Sequence, residues 1–230
     1  YPINSYEYSL VREAMGKLRL SDSAFSYRPI SSLALGNGYH CGFLGLLHAE
    51  IVQERLSREF NLSLFATAPS VEYRVKSKGI KGKTDVDSEG FYSIQSATEY
   101  PDPSTIGEVK EPMMLLNIFS PKQYVGDIMQ LCQDKRAQFI DLEYIVMGTA
   151  FADASASQAK FTYLIPLSEM IVDFFDLLKS ATSGYASLDY EFFEYQTVEV
   201  VKLDILINHE KFDAFSQLVV RDRADYLGRL

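Results

Sequence analysis

The stretch at residues 79–84 (GIKGKT) ends in GKT, the residues that close the phosphate-binding loop of many nucleotide-binding proteins. Only two residues separate Gly79 from Gly82, whereas that loop has four residues between its glycines. No helical pattern follows that would add N-terminal amides around a phosphate. We therefore interpret this stretch as a solvated hairpin tip and predict no nucleotide site there.

Two further glycine-containing stretches resemble ligand-binding motifs only in part. Residues 85–90 (DVDSEG) imitate the first half of a calcium loop, but the bidentate acid would fall at Ser96, which cannot supply it. Gly36, Gly38 and Cys41 lie at the spacing of a dinucleotide fingerprint that lacks its third glycine. Their context is a turn between strands, whereas that fingerprint needs a strand followed by a helix. We predict a turn there and no calcium site.

Nucleophilic catalysis and metal binding find little support in the residue types and spacings. His40 and Cys41 are neighbours on a predicted strand and point to opposite faces. Cys41 and His48 could meet in space, yet the sequence offers no third group to orient the histidine. The three histidines lack the spacing of a zinc site, and pairs such as Asp173/Asp176 are typical of solvated surface charges. We predict no catalytic residue, no bound cofactor and no metal in this chain.

Composition defines the class of protein. Of 230 residues, 47% are hydrophobic, and no apolar run is long enough to span a bilayer. The formal net charge is −9, and residues 111–198 hold 12 acidic and 5 basic side chains. Such a charge excludes nonspecific wrapping of a phosphate backbone, although a small local patch can still dock on RNA. Cys41 and Cys132 lie in hydrophobic patterns and suit buried thiols in a reducing, intracellular compartment.

Hydrophobic periodicity predicts a first α+β unit at residues 1–76. A helix is expected at 5–18 with Ser5 as its N-cap, then paired strands at 24–28 and 38–43, the first ended by Pro29. A helix at 46–60 carries ion pairs Glu54/Arg58 and Arg55/Glu59 on one face and an apolar stripe on the other, formed by Leu47, Ile51, Val52, Leu56 and Phe60. A strand at 71–75 closes the unit. The order is that of a βαββαβ sandwich domain whose opening strand precedes Tyr1.

A second unit of the same type is predicted at residues 111–197, after a polar hairpin and linker at 77–110. Its strands are expected at 113–119, 139–147, 160–166 and 186–195. Helices open at Ser120 with Pro121 and at Ser168, and the second ends at Ser180 before Gly184. Residues 148–158 are interpreted as a flexible loop, and residues 198–230 as the start of a third, truncated module. The fold class is thus α+β with two ferredoxin-like domains.

The long motif at residues 42–62 (GFLGLLHAEIVQERLSREFNL), followed by TAPSVEYRV, is similar to the third-domain signature of translational GTPases, which elongation factor G shares. Four other stretches resemble the elongation factor 4 (LepA) family more closely: LGNGYHCGFLGLLHAEIVQERL, YVGDIMQLCQDKRA, MIVDFFDLLKSATSGYASLDYEF and VKLDILINHEKFDAF. The resemblance runs over nearly all 230 residues.

This resemblance implies domain III at 1–76, a domain V equivalent at 111–197 and the start of the family's C-terminal domain at 198–230. It implies a GTPase that remodels or back-translocates ribosomes, with GTP and Mg²⁺ held by an N-terminal domain absent here, so that this chain has no activity alone. The implied partners are both ribosomal subunits, rRNA, tRNA and the protein's own GTPase domain, and the protein is implied to be a monomer. The implied location is the cytoplasm, with a peripheral position on the inner membrane face and an organellar origin left open.

Site residues follow from the matching motifs. The turn and helix start that include Gly42, Phe43, Gly45, Leu47, His48 and Glu50 match the domain III signature, which in relatives packs toward the GTPase domain and the small subunit. His48 and Arg55, seven residues apart, are expected on the outer helix face, where solvated side chains are as common as contact residues. The helix-end loop matches the part of domain V that faces the large subunit, with contact candidates Lys179, Ser180, Thr182, Ser183, Gly184 and Tyr185. A simple helix cap is the alternative for that loop.

Two other functions remain open from the sequence. A fragment of another translational GTPase of the elongation factor G type would share the domain III and domain V patterns, although the stretch VKLDILINHEKFDAF disfavours it. Alternatively, paired ferredoxin-like domains could hold a small ligand in a cleft, in which case ligand would stabilise the chain and ribosomes would not bind it.

Overall fold

The computed structural model of the chain describes residues 1–32, 35–67, 70–78, 86–146, 157–212 and 215–229. They form two compact units, one of Tyr1–Pro69 with Val201–Leu230 and the other of Ser70–Val200. The GKT-containing stretch at 79–84 lies outside the described residues, as does most of the predicted loop at 148–158.

Within residues 1–69, the first unit has these elements in the predicted order: α1 (Tyr8–Ser21), β1 (Ser26–Ser32), β2 (Gly36–Gly42) and α2 (Leu46–Phe60). β1 and β2 pair antiparallel over their whole length. Pro29 lies inside β1, opposite Tyr39, instead of ending the strand. Among the described strands β1 pairs only with β2, and such an edge strand tolerates a residue without an N–H group. Gly36 and Gly38, expected in a turn, both belong to β2.

The helices α1 and α2 pack their inner faces into one core. A 3₁₀ turn, Ser5–Glu7, leads into α1, and Ser5 does not act as the predicted N-cap. The predicted stripe of α2 is correct for Val52 and Leu56, which are buried. The remaining core side chains come from α1, the residue before β1 and the segment after α2: Val11, Ala14, Met15, Leu18, Phe25 and Leu62. Burial of each large apolar side chain contributes about 1.5–3 kcal/mol, which makes this cluster the main support of the unit.

The backbone that closes the first unit lies directly after α2. Residues 1–3 run antiparallel to residues 63–65, with a bridge from Pro2 to Leu64 and an Ile3 amide that donates to the Ser63 carbonyl at 3.0 Å. The predicted closing strand at 71–75 is therefore wrong for this unit. Gly38 permits the N-terminal segment to approach, because a Cβ at that position would lie 2.4 Å from the Tyr1 ring.

The C-terminal residues complete the first unit. They form β9 (Val200–Leu203), β10 (Leu206–Ile207), β11 (Glu210–Lys211), β12 (Gln217–Val220) and α6 (Arg221–Leu227). β9 pairs with β12, and β10 forms a short hairpin with β11. The Phe215 ring meets the Phe65 ring edge to face, with centroids 6.2 Å apart. Residues 201–230, which we expected to begin a third module, thus pack with residues 1–69 in the described structure.

The second unit is a βαββαβ sandwich with two added strands. Its elements are β3 (Tyr73–Ser77), β4 (Tyr92–Ile94), β5 (Ile106–Pro121), α3 (Val125–Asp134), β6 (Gln138–Val146), β7 (Ser157–Pro166), α4 (Leu167–Met170), α5 (Phe174–Ala181) and β8 (Ser187–Thr197). The strands β8, β5, β7 and β6 lie side by side in that order, all antiparallel. This is the strand order of a ferredoxin-like domain, which confirms the predicted α+β class and, for this unit, the predicted βαββαβ plan. The described strands of the first unit do not form a second ferredoxin-like sheet.

The segment predicted as a linker is instead part of the second unit. β3 pairs with both β4 and the first residues of β5, which extends the sheet. Phe91, Tyr92, Ile94 and Ala97 are buried. The polar composition of residues 77–110 concealed this order, because three strand residues and single buried side chains leave no detectable periodicity.

The helices of the second unit differ in detail from the prediction. Ser120 and Pro121 belong to the end of β5, and α3 begins only at Val125. The helix expected at 168–180 is broken into α4 and α5. Both helices and α3 cover one face of the sheet, and the core between them consists of Met114, Leu116, Ile118, Ile128, Cys132, Ala159, Phe161, Tyr163, Ile165, Met170, Phe174, Leu178 and Ala186.

A buried ion-pair cluster ties α3, α4 and β5 together. Arg136, directly after α3, donates to both carboxylate oxygens of Glu111 at 2.6 and 2.7 Å. Its Nε lies 3.1 Å from a carboxylate oxygen of Glu169 on α4. Only 5% of Glu111 is exposed, and burial raises the pKa of its carboxyl group against the opposing effect of Arg136. The arginine is therefore needed to hold this carboxylate charged inside the unit.

Candidate functional site

The turn that enters α2 is held by His48. Its Nε2 lies 2.6 Å from an Asp22 carboxylate oxygen, and its Nδ1 accepts a 3.1 Å hydrogen bond from the Leu44 amide. Because Nδ1 accepts, the neutral ring carries its proton on Nε2 and donates it to Asp22. This bond lowers the pKa of the Asp22 carboxyl group. His48 is thus half-buried between the turn and the end of α1, whereas we had expected it on the outer helix face.

Arg55 lies one helical repeat further along α2 and also reaches the end of α1. Its guanidinium pairs with Glu59 at 2.7 Å, as predicted, and donates to the Ser21 hydroxyl at 3.3 Å. The bond to Glu59 raises the pKa of Arg55. His48 and Arg55 therefore both contact the end of α1, at Asp22 and Ser21 respectively. Glu50 is exposed.

An exposed apolar patch borders the same turn. Leu47 is 70% and Ile51 47% exposed, although the predicted stripe placed both of them inside. Phe43 and Leu44 are exposed beside them. The helical pattern alone could not separate these leucine and isoleucine side chains from the buried Val52 and Leu56, since all belong to one wide apolar face.

The helix-end loop of the second unit is shaped by a buried threonine. The Thr182 hydroxyl donates to the Leu178 carbonyl at 2.7 Å and accepts from the Ala186 amide at 3.1 Å. Thr182 has no exposed surface, so its side chain cannot be a contact residue as predicted. It holds together the two ends of the loop instead.

Lys179 and two left-handed residues fix the rest of that loop. The Lys179 ammonium donates to the Ala186 carbonyl at 2.6 Å. Ser183 and Gly184 have φ angles of 51° and 81°, and the Gly184 amide donates to the Lys179 carbonyl at 2.7 Å. This is the geometry of a helix C-cap, and it explains why a glycine stands at residue 184.

The outermost side chain of the loop is Tyr185, with 68% of its surface exposed. Its ring stacks on that of Tyr124, with centroids 6.2 Å apart and an interplanar angle of 21°. Ser180 and Ser183 are also exposed. Of the six residues predicted here, Tyr185, Ser180 and Ser183 offer side chains to a partner. The Thr182 hydroxyl, the Lys179 ammonium and the Gly184 amide already have partners within the loop.

The described residues contain no group of three or more side chains that could hold a metal ion. Burial raises the pKa of Cys41 to about 11 and that of Cys132 to about 12. Both thiols are therefore protonated at neutral pH and poor nucleophiles. Both ring nitrogens of His48 are engaged by Asp22 and Leu44, so His48 is not placed as a base for Cys41. In the part of the chain that the structure describes, no helix is long and apolar enough to cross a membrane.

Comparison with known proteins shows similarity to two translation elongation factors. Residues 108–206 match the family described as Elongation factor G C-terminus, a range that begins within β5 and ends at the first residue of β10. Elongation factor 4 from Clostridium novyi (strain NT) is 46% identical over 229 residues, which is 100% of this chain and 35% of the relative. A crystal structure from Thermus thermophilus aligns with 86% of this chain and 40% of its own, at a TM-score of 0.49 and 16% identity, which is too weak to support any conclusion.

The chain thus spans about a third of the curated relative that it matches. Similarity over its entire length and the matched C-terminal domain agree with the ferredoxin-like order of β5 to β8. Along its whole length the chain is therefore similar to part of an elongation factor 4 (LepA) protein, and residues 108–206 match the Elongation factor G C-terminus.

Proposed function

We propose that these residues form the ribosome-binding portion of an elongation factor 4 protein, a GTPase that remodels or back-translocates ribosomes during protein synthesis. The observation that carries this proposal is the 46% identity to Elongation factor 4 along the whole chain. GTP and Mg²⁺ would be bound by a GTPase domain outside these 230 residues. The two units described here would serve as contact surfaces between that domain and the ribosome.

In this proposal the loop at residues 179–185 contacts the large subunit. Tyr185 offers an exposed ring to a base or an apolar side chain, and Ser180 and Ser183 offer exposed hydroxyls. Hydroxyls, amides and lysines are the groups that hold phosphates in protein–RNA contacts. The buried bonds of Thr182 keep the loop in one shape, which lowers the entropy lost on binding.

The exposed patch of Phe43, Leu44, Leu47 and Ile51 is proposed to contact the protein's own GTPase domain. Exposed apolar side chains grouped on one surface are typical of sites that are covered by a partner. His48 and Asp22 would act indirectly there, by fixing the turn that carries Leu44. Rotation of domains about such contacts would transmit the nucleotide state.

The other family properties follow from the same assignment and are proposals of the same kind. We place the protein in the cytoplasm as a monomer, with both ribosomal subunits, rRNA and tRNA as its partners. A peripheral position on the membrane has only the family resemblance behind it.

Sedimentation of the full-length gene product with purified ribosomes tests the proposed function. With a non-hydrolysable GTP analogue, we expect the protein to pellet with ribosomes, and to remain in the supernatant when ribosomes are omitted. A protein that stays in the supernatant with ribosomes and the analogue would contradict the proposal. Ligand-dependent stabilisation of the same protein by small metabolites, without pelleting, would favour the small-ligand module instead.

A further inference from the structure

A groove of about 560 Å³ lies in the second unit, beside the added strands of the sheet. It is lined by Arg74, Glu89, Phe91, Lys110, Phe192, Glu194 and Tyr195. These residues come from β3, β5, β8 and the segment before β4. None of them belongs to the contact residues implied by the family motifs. A volume of this size is in the range of pockets that hold small ligands.

Two cations of the groove lie against aromatic rings. The guanidinium carbon of Arg74 is 4.1 Å from the centre of the Tyr195 ring, and the Lys110 ammonium is 4.3 Å from the centre of the Phe91 ring. Phe91 is buried, so it gives Lys110 a fixed support. A cation packed against a ring keeps its N–H groups oriented and available at the side away from the ring.

The carboxylates near these cations bind them only loosely. Glu89 lies 3.5 Å from Lys110, and Asp87 lies 3.9 Å from Arg74. The Glu89 side chain is 68% exposed, and exposed ion pairs of this length contribute little free energy. An anion that reaches both cations can therefore displace Glu89 from Lys110 with only a small loss of free energy.

An exposed ring and a second carboxylate complete the lining. Phe192 is 55% exposed, and its ring centre lies 5.5 Å from that of Tyr195. Glu194 adds hydrogen-bond acceptors in the same groove. The groove thus combines cationic donors, a ring surface and carboxylate acceptors within the space of one small ligand.

We propose that this groove binds one nucleotide, with its phosphate at Arg74 and Lys110 and its base against Phe192. The N–H groups of the base would donate to Glu194. A nucleotide uses all three chemical features of the lining, whereas an acidic peptide uses only the cations. The carboxylates around the groove disfavour a continuous polyanion, so we assign a single nucleotide position and not a backbone-tracking channel. The nucleotide could come from an unpaired position in an RNA strand or from the free nucleotide pool.

Titration of the 230-residue chain tests the site without ribosomes. Binding of a fluorescently labelled single-stranded RNA hexamer is measured by anisotropy, and unlabelled AMP, GMP and UMP are used as competitors. Phe192→Leu is expected to weaken binding about tenfold, in line with the stacking free energy of one base. Lys110→Met, which keeps an alkyl chain over Phe91, is also expected to weaken binding about tenfold through loss of one charged phosphate contact. Glu89→Gln is expected to tighten it severalfold, because Lys110 loses its competing anion.

Matched controls come from the same unit. Phe193 is as exposed as Phe192 but does not line the groove, and Lys160 has a 3.5 Å ion pair with Glu143 that resembles the Lys110–Glu89 pair. Phe193→Leu and Lys160→Met should therefore bind the hexamer like the unaltered chain. Competition by mononucleotides assigns the site to free nucleotides, and hexamer binding without such competition assigns it to an RNA strand.

Absence of binding by hexamer and mononucleotides at millimolar concentration would overturn this inference. Equal affinities of Lys110→Met, Phe192→Leu and the two control variants would overturn it as well. The result is independent of the proposed ribosome contact, because Tyr185 is not part of the groove and Tyr185→Ala should leave this binding unchanged.

Discussion

The two units fix their predicted contact residues in different ways. In the first unit, the turn before α2 depends on half-buried or exposed polar contacts, chiefly those of His48 with Asp22 and with the Leu44 amide. In the second unit, the helix-end loop is held by the fully buried Thr182, and the helices below it are tied to β5 by the buried pair of Arg136 and Glu111. The first arrangement is exposed to solvent, and the second is enclosed by the core.

This difference separates residues that shape a site from residues that touch a partner. His48 and Thr182 both stand in family motifs, yet their polar atoms are used within the chain. Tyr185 and Leu47, beside them, are exposed. A match to a family motif therefore does not by itself show that a residue contacts a partner. The burial of the residue decides between a structural role and a contact role.

Among the substitutions that test this comparison, Arg136→Met is expected to have the largest effect on stability. The substitution leaves Glu111 buried without its cation and should destabilise the second unit by about 3 kcal/mol at pH 7. Urea unfolding followed through NMR signals of each unit measures this loss. The exposed pair of Arg58 and Glu54 provides the control, since Arg58→Met should have no measurable effect.

The same variant should acquire a distinct pH dependence. Burial raises the pKa of Glu111, and without Arg136 no cation opposes that rise. The folded state then keeps a proton that the unfolded chain loses near its ordinary pKa of about 4.3, so stability falls as pH rises through this window. The loss caused by Arg136→Met should be smaller at pH 5 than at pH 7. An equal loss at both values would show that the pKa of Glu111 is not raised in the variant.

A smaller effect is expected from Thr182→Val. The valine keeps the volume but removes the bonds to Leu178 and Ala186, which leaves a buried amide without an acceptor and costs about 2 kcal/mol. Chemical denaturation of the second unit measures this cost. Ser183→Ala, at an exposed position in the same loop, should change stability by less than about 0.5 kcal/mol. Equal stability of the two variants would mean that Thr182 does not hold the loop.

The smallest effect is expected from Asp22→Asn in the first unit. The His48 bond lowers the pKa of Asp22, so its contribution to stability is present above the ordinary pKa of about 3.9 and is lost as pH falls through the lowered value. Asp22→Asn should therefore weaken the first unit slightly at pH 7 and reduce its loss of stability below about pH 4. Acid unfolding of the two chains, with Glu50→Gln as an exposed control on α2, measures the difference. An unchanged acid transition would exclude Asp22 as its source.

Much of the fold could be predicted because long elements have strong periodic patterns. α2 begins and ends at the predicted residues, and the strand order of the second unit agrees with the predicted βαββαβ plan. The strand near Val71 was assigned to the wrong unit, since a short alternating pattern does not specify its pairing partner. The structured segment around β4 was missed because only a few buried side chains hold it in place.

Prediction of the candidate site was limited in a different way. The motifs located the α2 turn and the helix-end loop, but sequence could not tell that Thr182 is buried while Tyr185 is exposed. Arg74, Lys110 and Tyr195 are far apart in sequence and meet only through the pairing of β3, β5 and β8. No local pattern contains such a groove, so it becomes visible only in three dimensions.

The central claim is that the helix-end loop of the second unit contacts the ribosome through its exposed residues. The most direct test is ribosome-stimulated GTP hydrolysis by the full-length protein carrying Tyr185→Ala. We predict a loss of stimulation of about tenfold with unchanged intrinsic hydrolysis, the size expected for removal of one exposed aromatic contact. Tyr144→Ala, at an exposed position on β6, should be stimulated like the unaltered protein. Full stimulation of Tyr185→Ala would contradict the claim.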